Sequence, residues 1–352
     1  MSENESKFVL KWGVIGLGQF AAKYINDVFK NYIHDENYGS QIKHELKSII
    51  STTSIENCEN FIKLLDTNFT GIPEKFDSYN EFLKSDIDIV YIATPNSEHY
   101  FNAIKALNSN KNIIVEKTFT INSKQAKNIQ KLAKEKGLFV LDGIWTRYLP
   151  TFEKIESIIN EGIIGKIYRI NADLSHNCKF ENNRLYNKNL GGGVLFDNLI
   201  YSIIWSETLL KSKNLPLINS WIIKQNDVDV NTGISLNYDN DAIGIATGSF
   251  QIESPLYSVL IEGEKGYIRI NKTSKPTKAI IYFDKIEKEI QLPEIKGIGY
   301  YYEANIAAIS IKDGLLEPKL RSLDYTVRIL EIFDKVKIQN NIKFPNEIER
   351  LD

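Results

Sequence analysis

Gly16-Leu17-Gly18-Gln19-Phe20-Ala21 carries the spacing G-x-G-x-x-A between an apolar run and a segment of helical periodicity. That pattern can cradle a dinucleotide diphosphate. Gly16 permits a tight turn, Gly18 lets backbone approach the phosphates, and Ala21 lets the helix pack on the strand. The helix start at Gln19 and Phe20 adds N–H donors and the positive end of the dipole. The second strand is predicted to end at Ser51, Thr52, Thr53 and Ser54, where the adenosine ribose would lie. No carboxylate stands there to pair both ribose hydroxyls, and small hydroxyl side chains take a 2′-phosphate that a carboxylate would repel. The pattern points to NADP and leaves NAD open.

Three further groups could move protons or hold substrate. Lys117 follows a strand ending at Glu116, the end at which open α/β sheets bind ligands. Burial beside an oxidised nicotinamide would ease loss of its proton, suiting it to acid–base work. The alternative is a surface lysine paired with Glu116. Asp197 and Tyr201, four residues apart in a helix predicted after Gly191–Gly193, would project from one face. Tyr201 could give or take a proton, and Asp197 could orient substrate hydroxyls or tune Lys117. The alternative for Tyr201 is a core role among Ile200, Ile203, Ile204 and Trp205. Trp145 and Arg147 follow the last strand of the first half. An indole stacks on a sugar ring and a guanidinium donates to several oxygens; a packed hinge is the alternative. His34, His44 and His176, and Cys58 and Cys178, lack metal-ligand spacing. No metal site is expected. Trp12, Trp205 and Trp221 read as packing residues.

The elements that must position these residues fall into two sets. Strand and helix alternate from Lys11 to Asp142: strands at 11–16, 44–51, 87–94, 112–116 and 138–142, with helices between them. Ile87 to Thr94 is a continuous β-branched run, as in a strand buried on both faces. This predicts an α/β fold, a doubly wound parallel sheet of Rossmann type over residues 1–145. From 146 to 352 the rhythm changes. A helix, a strand at 166–174, and a long apolar helix after the glycine triplet precede seven short strands separated by turn residues. Two helices, 301–312 and 323–336, close the chain. This second unit is predicted as an α+β domain with a large, mostly antiparallel open sheet.

Bulk properties narrow the class. The 352 residues carry 43 Lys and Arg against 45 Asp and Glu, a net charge of -2 that recruits neither nucleic acid nor an anionic membrane. Two cysteines in the whole chain are too few for a disulfide framework and suggest buried thiols in a reducing compartment. The N-terminus has no apolar signal-like core, and no apolar run reaches the ~18 residues needed to span a bilayer. A cytoplasmic location is expected.

Taken together, the motifs resemble the glucose–fructose oxidoreductase/inositol dehydrogenase family (Gfo/Idh/MocA) along nearly the whole chain. Gly16-Leu17-Gly18, Tyr91-Ile92-Ala93-Thr94-Pro95-Asn96 with His99, Val115-Glu116-Lys117, and Gly191–Gly193 with Asp197 and Tyr201 carry the match. Within it, Trp145-Thr146-Arg147-Tyr148-Leu149-Pro150 and Arg184-Leu185-Tyr186 are similar to the branch of dihydrodiol dehydrogenases and NADP-dependent D-xylose dehydrogenases. The resemblance implies an NAD(P)-dependent dehydrogenase acting on CH–OH groups of an aldopyranose such as D-xylose, or of a cyclic trans-diol. It implies Lys117, Tyr201 and Asp197 as catalytic residues. Thr94, Pro95, Asn96, His99, Glu116, Lys117, Trp145 and Arg147 join the cradle in holding coenzyme. Lys117, Trp145, Arg184, Asp197 and Tyr201 hold substrate, with Arg184 also a candidate for the 2′-phosphate. A homodimer through the open sheet is implied as well. Two departures stand out: Thr118 replaces the proline of the family's Glu-Lys-Pro, and Leu199 replaces a glycine. They keep open a catalytically silent dinucleotide-binding regulator. A nucleotide-sugar ketoreductase is a separate enzymatic alternative, which would need cations for a diphosphate where the second half shows no obvious cluster.

Overall fold

The computed structural model describes residues 7–178, 184–319 and 321–351. Its first sheet has six parallel strands: β1 (Phe8–Ile15), β2 (Ile42–Ile50), β3 (Glu74–Phe76), β4 (Ile89–Ile92), β5 (Asn112–Glu116) and β6 (Val140–Gly143). They lie in the order β3-β2-β1-β4-β5-β6. Between them run α1 (Gln19–Asn31), α2 (Ile55–Ile62), α3 (Thr67–Thr70), α4 (Tyr79–Lys84), α5 (Asn96–Asn108) and α6 (Ser123–Lys136). All four residues of β4 are buried, which is why that stretch reads as unbroken apolar sequence. The expected sheet had five strands. The sixth, β3, is three residues of mostly exposed edge, too short to show a period.

The second set comprises α7 (Pro150–Asn160), β7 (Ile167–Ser175), α8 (Val194–Asp197), α9 (Leu199–Leu209), β8 (Leu217–Gln225), β9 (Val228–Asn237), β10 (Ile243–Ser249), β11 (Val259–Gly263), β12 (Gly266–Ile270), β13 (Ala279–Phe283) and β14 (Ile286–Ile290). Eight strands form one sheet in the order β14-β13-β12-β11-β7-β10-β9-β8. All neighbours are antiparallel except β7 and β10. One face is covered by α9, packed on β7 and β10. The other face carries Leu217, Trp221, Ile223 and Ile243, all exposed. Trp221 is therefore no core residue, whereas Trp12 and Trp205 are fully buried.

The long helix expected after the glycine triplet is interrupted. Asn198 separates α8 from α9, so Asp197 and Tyr201 belong to different helices. Gly193 explains the sharp entry: its φ is +124°, and a Cβ there would lie 2.1 Å from Asp229 Oδ1. That carboxylate instead accepts the Leu195 N–H, capping α8 from β9. Leu199, in the family's glycine position, is buried. Close approach comes from the sheet side, where Gly248 of β10 faces Val194 and Asn198, and Gly244 faces Ser206.

The closing helices α10 (Tyr301–Lys312), α11 (Leu323–Gln339) and α12 (Asn346–Glu349) return to the first sheet. Asp27 on α1 accepts the N–H groups of Ile298, Gly299 and Tyr300 at the start of α10. His44 on β2 accepts from Trp12 Nε1 through Nδ1, so its other ring nitrogen donates to Asn305 of α10 at 2.9 Å. With α11 lying on α6, the two sheets are held as one body.

Candidate active site

The strand order reverses between β1 and β4, which opens a crevice beyond their C-terminal ends. Gly16 follows β1 with φ +92°, and a Cβ there would stand 2.4 Å from the Ala93 carbonyl carbon. Only glycine lets these two turns touch. A Cβ on Gly18 would meet nothing within 4 Å, so it would project into open groove. Helix α1 begins at the next residue without a capping side chain or an acidic residue in its first turn. These features fit a dinucleotide diphosphate: backbone approach at Gly18 and free N–H groups at the helix start.

The cavity beyond Gly18 has a volume of about 590 Å³. Gln19, Phe20, Thr94, Pro95, Asn96, Glu116, Lys117, Arg184, Asp197 and Tyr201 all line it. An adjoining groove of about 420 Å³ shares Gly16, Thr94 and Pro95 and is lined by Ser51, Thr52 and Thr53. It also contains Asn57 and Asn60 of α2, which sequence reasoning missed. Asn57 Nδ2 donates to Thr53 Oγ1 at 2.8 Å and to Ser51 Oγ at 3.3 Å. The missed signal was spacing: Asn57 stands four residues after Thr53, on the first turn of a helix.

Lys117 reaches across from the first half to the second. Its Nζ donates to Asp197 Oδ1 at 2.8 Å and to the Asp197 carbonyl at 3.0 Å. The break at Asn198 makes this geometry: the Tyr201 N–H bonds to the Asn198 carbonyl, leaving the Asp197 carbonyl for the amine. Burial alone would raise the Asp197 pKa, but Lys117 and Arg184 outweigh it and hold the carboxyl below its usual range. Arg184, half-exposed at the rim, lies 3.9 Å from the same oxygen. The Lys117 Nζ also stands 5.1 Å from the centre of the Tyr201 ring. Tyr201 is 6% exposed. Burial first, then the nearby Tyr300 and Glu116, push its phenol well above the usual pKa.

Other expected residues sit elsewhere. Trp145 does not line the cavity; its Nε1 donates to Tyr201 Oη at 2.9 Å, and it meets Tyr300 edge-on. Arg147 is buried with its guanidinium 3.5 Å above the Tyr325 ring, facing α11 and away from the crevice. Both lie in the 3₁₀ turn Trp145–Tyr148, where residues two apart point in different directions. His99 is buried behind the cavity wall, its ring nitrogens each 2.8 Å from the carbonyls of Thr94 and Thr118. Burial, the leading cause, drives its pKa down to about 4 against the pull of these two carbonyls, and the neutral ring has one N–H to give, to one of the two turns after β4 and β5. Asn96 does reach the site and donates to the Gly191 carbonyl at 2.8 Å. The Lys117–Thr118 peptide is cis although proline is absent, and Thr118 Oγ1 bonds to the Phe196 carbonyl. Cys58 is buried and Cys178 half-buried, both free thiols. Among the described residues no cluster of three or more His, Cys, Asp or Glu is arranged to hold a metal, and no helix is long and apolar enough to cross a membrane.

Known proteins share this fold. Residues 10–143 match an oxidoreductase family with an NAD-binding Rossmann fold, and residues 152–269 match the GFO/IDH/MocA C-terminal domain. The chain is 30% identical to the D-xylose 1-dehydrogenase (NADP(+)) of Hypocrea jecorina, over 97% of this chain and 94% of that protein. It is 24% identical to the trans-1,2-dihydrobenzene-1,2-diol dehydrogenase of Mus musculus, over 96% and 99% of the two chains. Among solved structures, an aldose-aldose oxidoreductase from Caulobacter crescentus superposes with a TM-score of 0.80 at 16% identity, covering 94% of this chain and 97% of that one. A 3-ketoreductase from Actinomadura kijaniata, in complex with NADP and TDP-benzene, gives 0.79 at 20% identity over the same shares. The chain belongs to the Gfo/Idh/MocA oxidoreductase family and is a dehydrogenase with an NAD(P)-binding Rossmann fold.

Proposed function

We propose that this family member is an NADP-dependent dehydrogenase for an aldopyranose such as D-xylose or for a cyclic trans-diol. The observation that carries the reading is the meeting of the Lys117 amine and the Tyr201 phenol, from opposite halves, in the cavity that continues the Gly18 cradle. Bound there, the nicotinamide would take or give the hydride. The protein's part is then to position a carbinol and handle its proton.

Lys117 has three donors, and two are engaged by Asp197. The third meets no acceptor among the described residues and can serve the reacting oxygen. The Tyr201 oxygen accepts from Trp145, which leaves its own proton to give. In carbonyl reduction Tyr201 hands that proton to the new alkoxide and Lys117 restores it; alcohol oxidation runs the same path backwards. Arg184 at the rim is suited to substrate hydroxyls. The neutral hydroxyls and amides of Ser51, Thr52, Thr53, Asn57 and Asn60 favour NADP, because none repels a 2′-phosphate. In this reading residues 1–145 hold the coenzyme and residues 146–352 complete the substrate site. The exposed apolar side chains on the open sheet, Trp221 and Ile223 among them, favour a homodimer, which Trp221→Glu should convert to monomer in sedimentation.

Initial rates over aldopyranoses and trans-diols, with NADP and NAD in turn, test the assignment. Turnover of at least one such alcohol, faster with NADP, is expected. Tight coenzyme binding with no turnover of any alcohol, sugar nucleotide or diol would favour the silent regulator.

A further inference from the structure

Beside the Lys117–Asp197 pair lies a carboxyl with no cation of its own. Glu116, the last residue of β5, is 5% exposed, and it lines the cavity with Gly18, Lys117 and Tyr201. Its Oε1 accepts the Tyr91 hydroxyl at 2.7 Å, and its Oε2 accepts the Lys117 backbone N–H at 3.2 Å. The adjacent ammonium is turned away and spent on Asp197. Among the described residues Glu116 makes no ion pair. The other titratable groups that face it are acids and phenols: Asp142 on β6, Tyr91 on β4, Tyr201 on α9, and Tyr300 and Glu303 at the start of α10. Tyr24 of α1 stacks on Tyr91 at 4.1 Å and completes the cluster.

A buried carboxyl with two neutral donors is poised between its forms, since its charge has weak compensation. Burial, above all, raises its pKa to about 7 against the pull of the Tyr91 hydroxyl and the Lys117 charge; Asp142 adds to the rise. The strongest available perturbation is a charge arriving in the same cavity. An oxidised nicotinamide carries one positive charge on its ring and a reduced one carries none.

Resting on the coenzyme reading above, we propose that Glu116 matches its charge to that ring. It is ionised when the cavity holds oxidised coenzyme and protonated when it holds reduced coenzyme. On entry of the oxidised form the Glu116 O–H bond breaks and one proton leaves to solvent. In alcohol oxidation two electrons and one hydrogen leave the carbon as hydride, and the hydroxyl proton departs through Tyr201 and Lys117. The ring charge is then gone and Glu116 takes up one proton. Exchange of reduced for oxidised coenzyme releases that proton again, so the cycle yields the single proton that alcohol oxidation requires. Coenzyme oxidation state and a proton are thereby exchanged together.

The test is equilibrium binding of NADP⁺ and NADPH to the full-length protein at pH 6, 7 and 8, without substrate. Calorimetry in two buffers of different ionisation enthalpy counts protons. The 2′-phosphate titrates in the same range but is common to both forms and cancels in the ratio of their affinities. The Kd ratio, oxidised over reduced, is expected to fall about fivefold between pH 6 and 7 and to flatten by pH 8. About one more proton is released with NADP⁺ than with NADPH at pH 6. Glu116→Gln should make the ratio independent of pH, and Tyr91→Phe should move the slope to higher pH. Both forms binding with a flat wild-type ratio overturns the proposal alone. Binding of neither form overturns the coenzyme reading, and this proposal with it.

Discussion

The indole of Trp145 holds the phenol of Tyr201: Nε1 donates to the hydroxyl oxygen at 2.9 Å, with the rings edge-on at 6.5 Å. One lone pair of the phenol is thereby occupied and its hydrogen is directed elsewhere. Trp145→Phe keeps the aromatic contact and loses the donor. We expect kcat to fall about tenfold, the worth of one hydrogen bond, with coenzyme affinity unchanged. Tyr201→Phe should cost about 100-fold or more in kcat. Steady-state kinetics that gave the two variants equal, wild-type rates would remove Tyr201 from the chemistry.

The two cradle glycines should separate in their effects. Gly18→Val adds a side chain to open groove, so thermal stability stays near wild type while coenzyme affinity drops at least 100-fold. Gly16→Ala drives a methyl into the Ala93 carbonyl and forces an L-residue to φ +92°. It should lower stability by about 2 kcal/mol or more. Melting curves with and without coenzyme check both.

Lys117→Met removes the partner of a carboxylate whose side chain is only 14% exposed. Breaking a buried pair from one side costs about 3 kcal/mol, and turnover should fall about 1,000-fold or more. Adding Asp197→Asn should recover much of the stability and none of the turnover. Denaturant titration and kinetics on the same samples distinguish the two effects.

Asp142 gives a pH signature. Burial, the leading cause, raises its pKa to about 7 from an ordinary value of 3.8, against the Thr326 hydroxyl at 2.7 Å. The folded state binds the proton more tightly than the unfolded one. Its contribution is full below pH ~4 and is lost as pH rises through about 7. Unfolding free energy should therefore decline between pH ~4 and ~7, and Asp142→Asn should make that decline shallower, with Glu116 supplying part of what remains.

Arg147 tests a boundary of the site. Its guanidinium lies on Tyr325, and its Nε has no hydrogen-bond partner among the described residues. Arg147→Met should leave coenzyme affinity within about twofold while shifting the melting temperature by several degrees. A large loss of coenzyme affinity at unchanged stability would return Arg147 to the cavity.

Much of this was legible in the chain itself, for reasons that are local. The G-x-G-x-x-A turn, the buried run of β4 and the exact bounds of β5, α6 and α10 follow from short-range patterning: apolar continuity, helical period and turn residues. The residue types needed for proton transfer were also visible, because no fold can supply an amine or a phenol that the sequence lacks. Tertiary structure decided what those residues face. The break at Asn198 frees the carbonyl that orients Lys117, and the 3₁₀ turn after β6 sends Trp145 to Tyr201 and Arg147 to α11. His99 is withdrawn behind the wall, and Glu116 is left in the cavity with no ion pair among the described residues. These outcomes depend on contacts between residues tens to hundreds of positions apart, and periodicity carries no information about such distances.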